Sequence, residues 1–132
     1  MNTHPTDLLP LVTLQKRIIR IITHSEFLAH TDPLFNQCRI LKIESLRKFA
    51  LALHTFKNKE NHRHLIAQHN YLTRHRNHLR IPAHRTALFH KSFIYQGTTL
   101  WNEIMDLYPE TVAATSIESF KRKYKINLLQ HQ

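Results

Sequence analysis

The sequence predicts a small, mainly α-helical domain, with a short β-hairpin or small sheet admitted only in its His/Arg-rich C-terminal half. Apolar residues recur at spacings of three and four in several segments, and helix-start chemistry precedes two of them. Glycine, the usual marker of turns, occurs once in 132 residues, as Gly97. With 42% apolar residues the chain can bury one modest core. A single domain over 1–132 is therefore expected, with a helical part at 1–60, a basic part at 61–102 and terminal helices at 103–132.

From Leu8 to Ile22, Leu11, Leu14, Ile18, Ile21 and Ile22 fall on one helical face, with Lys16, Arg17 and Arg20 between them. This spacing predicts an amphipathic helix with a cationic flank, which His24 and Ser25 end. In Thr31-Asp32-Pro33, Asp32 can cap free amides and Pro33 fits the first helical position, so a short helix is expected from Pro33 to about Cys38. Ile43, Leu46, Phe49, Ala50, Leu53 and Phe56 give the clearest 3.6-residue stripe and a further helix. Beyond Lys59 the periodicity fades, and Tyr71–Thr73, Leu79–Ile81 and Ser92–Tyr95 read as short strands, the second confined by Pro82 to an edge or a strand end. Gly97 is expected to turn the chain, with Thr98 or Thr99 capping a helix that carries Leu100, Trp101 and Ile104 and is closed by Pro109. Thr115-Ser116-Ile117-Glu118 has the capping-box pattern, Thr with Glu three residues on. Ile117, Phe120, Tyr124 and Leu128 then share one face of a last helix running to about Leu129. No internal repeat or low-complexity tract interrupts this order.

Charge narrows the class of partner. The formal net charge is +10 with histidines neutral, which favours nucleic acid, an anionic membrane or an acidic protein. Its centre is an acid-free run of 42 residues from Asn61 to Asn102 holding Arg63, Arg74, Arg76, Arg80, Arg85 and Lys91. Seven histidines share that run, His62, His64, His69, His75, His78, His84 and His90, and Tyr71, Phe89, Phe93, Tyr95 and Trp101 lie among them. Guanidinium forks bind oxyanions bidentately and stay charged at any working pH, so the arginines suit phosphates while rings suit unstacked bases. Tyr71 is the candidate exposed platform; Phe93, Tyr95 and Trp101 are expected to be at least partly buried, as aromatics dominate small cores. Twelve histidines make binding that strengthens below about pH 6.5 a further expectation. Lys121-Arg122-Lys123-Tyr124-Lys125 reads either as a nuclear-import patch or as a solvated helix face.

Several chemistries drop out. One glycine cannot build a Walker or dinucleotide phosphate loop, and no Gly-x-Ser-x-Gly elbow occurs. Two-metal phosphoryl chemistry needs clustered carboxylates, whereas the nine acids here are thinly spread and Asp7, Asp32 and Asp106 stand apart, with no Tyr-x-Asp-Asp setting. His62, His64, His69, His75 and His78 invite a zinc reading, but Cys38 is the only cysteine, so no metal site is expected and a solvated, phosphate-facing loop is preferred. Histidine acid/base catalysis would need folding to bring Glu103 or Asp106 to the basic half, and no nucleophile or substrate pocket is visible. The lone cysteine permits no intrachain disulfide and suits a reducing compartment. The apolar runs fall well short of the roughly 20 residues that span a bilayer, and the N-terminus lacks the basic start of a secretory signal. Neither a membrane, a small-molecule substrate nor a cofactor is expected; nucleus and cytoplasm both stay open.

Taken in order, these segments resemble the region C-terminal to the polymerase in reverse transcriptases of non-LTR retrotransposons, especially jockey-like and related LINE elements. The resemblance covers nearly the whole chain. It is carried by Leu14-Gln15-Lys16-Arg17-Ile18-Ile19-Arg20-Ile21-Ile22, His30-Thr31-Asp32-Pro33-Leu34-Phe35 and Ile40-Leu41-Lys42-Ile43. Tyr71-Leu72-Thr73-Arg74, Leu79-Arg80-Ile81-Pro82, Arg85-Thr86, Tyr95-Gln96-Gly97, Trp101-Asn102 and Ser119-Phe120-Lys121 continue it. The family's N-terminal endonuclease and its Tyr/Phe-x-Asp-Asp polymerase motif have no counterpart here. If Met1 is the true start, the chain is a stand-alone remnant, a truncated reading frame or a domesticated tail. The resemblance implies a thumb-adjacent region that helps hold template RNA or target DNA, with a reverse-transcriptase polymerase domain as second partner.

The expectation is a catalytically inactive fragment that binds RNA or DNA with low specificity. Its candidate contacts are Lys16, Arg17, Arg20, Arg63, Tyr71, Arg74, Arg76, Arg80, Arg85 and Lys91. The alternatives are a helical protein-interaction module, exposing apolar surface at Ile18, Ile22, Phe49 or Leu53, and a non-functional retroelement remnant.

Overall fold

A computed structural model describes residues 5–58, 78–83 and 85–132, with the side chains of 5–7 left aside. The chain is mainly α-helical. Among the described residues the helices are α1 (Pro5–Ile22), α2 (Thr31–Gln37), α3 (Ile43–Lys57), α4 (Ala87–His90), α5 (Phe93–Leu107), α6 (Pro109–Val112) and α7 (Ile117–Gln130). They divide into two compact units, one of Ala50–Lys123 and one of Thr3–Phe49 with Tyr124–Gln132.

In the N-terminal unit α1 packs against α2. The inward face of α1 is formed by half-buried Leu8, Val12 and Gln15 with buried Ile19, spaced four, three and four residues apart. Leu11, Leu14, Ile18, Ile21 and Ile22 are all exposed. The stripe of α1 that reads most clearly in the sequence is thus the one the fold leaves outside, because α1 carries apolar residues on two faces and uses the other. Two amides close the connection before α3. Gln15 Nε2 donates to the Leu41 carbonyl at 2.9 Å while its Oε1 accepts from Ile43 N–H at 3.0 Å. Gln132 Oε1 accepts from Lys42 N–H at 3.0 Å, and its Nε2 donates to the Ile40 carbonyl at 3.1 Å. Phe35 and Leu41 are buried, and Phe49 stacks on buried Tyr124 at 6.2 Å.

Helix α2 begins two residues before the expected Pro33, with His30 as N-cap and no side-chain cap bond. Asp32 is therefore inside the first turn and does not cap; its carboxylate pairs with Lys42 Nζ at 2.8 Å. Pro33 is tolerated at the third helical position because amides in the first turn have no intrahelical partner. The Lys42 hydrogen bond and charge hold the Asp32 carboxyl below its ordinary value, against burial and with smaller help from Lys16 and His30. Both α1 and α2 end in Schellman turns: Ser25 N–H returns to the Arg20 carbonyl and Ile40 N–H to that of Phe35. The left-handed positions are His24 and Arg39, each at φ 52°, where a glycine would be unstrained.

The other unit has an aromatic centre. Phe56 of α3 stacks on Phe120 of α7 at 4.6 Å, and Trp101 of α5 stacks on Phe120 at 5.8 Å. Leu100, Ile104, Ala52 and Ala114 are buried with them. Gly97 lies inside α5, not at a turn. A Cβ there would meet Thr55 Oγ1 at 2.5 Å, so the missing side chain is what lets α5 approach Thr55 on α3 so closely. Helix α5 starts at Phe93 with the Ser92 hydroxyl accepting from Tyr95 N–H at 3.2 Å, so Ser92–Tyr95 is a cap and first turn and not a strand, and neither Thr98 nor Thr99 is the cap. Leu79 makes only an isolated bridge, and Tyr71–Thr73 lies outside the described residues. Pro109 ends α5 and opens α6, which the sequence did not indicate. Ser116, one residue later than the expected Thr115, accepts from Ser119 N–H and starts α7.

Candidate nucleic-acid interface

The described part of the acid-free run is pinned to one side of α5. Asn102 reads the backbone of Leu79 on both sides: its Nδ2 donates to the Leu79 carbonyl and its Oδ1 accepts from the Leu79 N–H, both at 2.8 Å. One turn along the helix, Asp106 Oδ1 meets His78 Nε2 at 2.8 Å. Leu79 is buried beneath this clamp. The next residue, Arg80, is exposed, and the chain then runs through half-buried Pro82 to exposed Arg85.

Thr86 starts α4 by accepting from Phe89 N–H at 3.4 Å. Arg85, Thr86, Ala87 and His90 line an open depression of about 550 Å3. His90 packs against Tyr95 at 4.4 Å between ring centroids, and Phe89 meets the same ring edge-on at 6.5 Å. Lys91 is exposed just after. Three of the expected contact residues, Arg80, Arg85 and Lys91, thus sit on a short segment anchored at both ends by α5. Among the described residues no carboxylate pairs with Arg80 or Arg85, and the nearby Asp106 carboxylate is turned to His78. This leaves two guanidinium groups available to oxyanions.

Lys16, Arg17 and Arg20 belong to the other unit. Lys16 and Arg17 are exposed on α1, while Arg20 is half-buried with its Nε donating to the Ala29 carbonyl at 3.0 Å, which fixes its direction and uses one of its five donors. Arg63, Tyr71, Arg74 and Arg76 lie outside the described residues, as do His62, His64, His69 and His75. Of the aromatic residues weighed as stacking platforms, Trp101 is buried in the core, Tyr95 is half-buried and Phe93 is exposed, tilted over His54 at 5.4 Å. In the late basic cluster Lys121 pairs with Glu118 at 2.7 Å and Lys123 donates to the Glu110 carbonyl at 3.1 Å; Arg122 and Lys125 are exposed.

Folding does bring Asp106 to a histidine, as acid/base chemistry would require, and the pair also fastens the segment at His78 to α5. Among the described residues no group of three His, Cys, Asp or Glu could hold a metal ion, and no helix is long and apolar enough to cross a membrane. The positioning role of Asn102 escapes sequence reading, because an amide that pairs with backbone 23 residues away leaves no pattern. Comparison of the chain with protein-family models, with curated proteins and with solved structures finds no match.

Proposed function

We propose that this chain binds RNA or DNA with low sequence specificity through its acid-free segment, without catalysing a reaction on it. The observation that carries the reading is the run from Asn61 to Asn102, with six Lys or Arg and no acid. Exposed Arg80 and Arg85, held on a segment clamped by Asn102 and Asp106, support it by supplying fixed charges at low ordering cost. The likeness of the segment order to the post-polymerase region of non-LTR retrotransposon reverse transcriptases supports the same partner class. It makes a reverse-transcriptase polymerase domain the candidate protein partner.

The direct test is a double variant, Arg80→Ala with Arg85→Ala, titrated with fluorescent single strands of several sequences. Loss of two phosphate contacts should weaken every sequence alike and make the log K against log salt slope shallower by about 1.4. Loss confined to one sequence would mean base readout, and an unchanged slope would remove these arginines from the interface.

A further inference from the structure

We propose that the outer stripe of α1 is a docking seam for an acidic amphipathic helix of another protein. Leu11, Leu14, Ile18 and Ile21 are spaced three, four and three residues apart and are between 46% and 72% exposed. That is the two-per-heptad spacing of a helix-pairing seam, narrower than the apolar face of a helix buried in a core. Counting Leu11 and Ile18 as one seam position and Leu14 and Ile21 as the other, Gln15 and exposed Ile22 lie on one flank and Arg17 on the other, with His24 following in the turn that ends the helix.

The two flanks differ in a way that selects the partner. The Gln15 flank is occupied by the protein itself, through the bonds to Leu41 and Ile43. The opposite flank is open and carries exposed Arg17, which Arg20 and His24 join around its C-terminal end, and no acid occurs from Leu8 to Ser25. At the end of the seam, Arg17, Arg20, Ile21, His24, Ser25 and Phe27 line an open depression of about 730 Å3. It joins an apolar floor to cations, so it fits an aliphatic anchor followed by a carboxylate.

Other occupants fit less well. Nucleic acid presents mainly phosphates and polar base edges, not a continuous aliphatic face, to a row of aliphatic side chains. An antiparallel second copy would set Arg17 against Arg17. A bilayer favours a wide apolar face with cations on both sides, and here one side is taken. Carboxylates on one flank of an aliphatic helix complement both features, and flanking charges are what choose partners in helix pairs.

The test uses the full chain and two synthetic helical peptides with Leu at both seam positions, one flanked by Glu and the other by Lys. The Glu peptide should bind at least about tenfold more tightly than the Lys peptide. Leu14→Ser with Ile18→Ser should abolish that binding with helix content unchanged by circular dichroism, because both side chains are exposed. Arg17→Glu should remove the preference for the Glu peptide, whereas Lys16→Glu, on the far side of α1, should leave it in place. Arg80→Ala with Arg85→Ala should leave peptide binding intact, which separates this seam from the nucleic-acid reading. Equal binding of both peptides, or undiminished binding by the Leu14/Ile18 variant, would overturn the proposal. So would a wild-type dimer in sedimentation that these substitutions disperse, which would make a second copy the occupant. Binding to phosphatidylserine vesicles without binding to the Glu peptide would overturn it in favour of a membrane.

Discussion

In the unit of Ala50–Lys123, stability rests on rings: Phe120 stacks on Phe56 at 4.6 Å and on Trp101 at 5.8 Å, Phe56 and Trp101 meet at a tilt at 6.2 Å, and Gly97 is spent on close approach to Thr55. The unit of Thr3–Phe49 with Tyr124–Gln132 relies more on side-chain amides that satisfy loop backbone, from Gln15 and Gln132, and leaves Leu11, Leu14, Ile18 and Ile21 outside. The difference teaches where each unit can host function. The ring-centred unit carries a basic segment clamped on α5, whereas the amide-closed unit leaves a row of apolar residues on α1 exposed.

Substitutions that should affect one mode of closure and not the other sharpen this contrast. The largest effect is expected for Phe120→Ala, which removes the ring common to two stacking pairs and should cost about 3–5 kcal/mol by urea unfolding. A loss below about 1 kcal/mol would mean that the ring cluster is not the core. Gly97→Ala comes next. Despite the better helix propensity of alanine, overpacking against Thr55 should cost about 1–3 kcal/mol, and adding Thr55→Ala should recover much of it. Independent effects of the two substitutions would show that α3 and α5 do not meet there.

Gln15→Ala should cost about 1–2 kcal/mol by leaving the Leu41 carbonyl and Ile43 N–H without their partner, whereas the exposed pair Leu14→Ser and Ile18→Ser should fall within about 0.5 kcal/mol each. If the seam pair costs more than Gln15→Ala, the outer face of α1 is buried after all. The smallest effect is that of Asp32→Asn. Because the Asp32 carboxyl is held below its unfolded value, its ion pair with Lys42 contributes above the ordinary carboxylate range and is lost as pH falls through the depressed value. The slight Tm difference between wild type and variant at pH 7 should therefore vanish in acid; a difference that grows on acidification would reverse the assigned direction.

Much of the fold was legible as periodicity. The stripe from Ile43 to Phe56 and the face of Ile117, Phe120 and Tyr124 became α3 and α7, because long amphipathic helices leave many residues in register. Two four-residue helices, α4 and α6, were not legible, since one turn carries no period. Ser92–Tyr95 misled because Phe, Ile and Tyr are strand formers by composition, yet a serine cap and the continuing face of Leu100, Trp101 and Ile104 made it helix. Gly97 misled for a related reason: glycine marks either a turn or a close helix contact, and only the facing Thr55 distinguishes them. At the candidate interface, the exposed charges of Arg80 and Arg85 were readable from the absence of acids. The clamp made by Asn102 and Asp106 was not, because it depends on how the chain folds back onto α5.

The claim that phosphates are the principal ligand is tested most directly by the salt dependence of wild-type binding to a fluorescent single strand. With about five cations on phosphates, log K should fall against log salt with a slope near −3.5, steepening to about −4.5 on duplex. A slope near zero, or no binding at low salt, would contradict it.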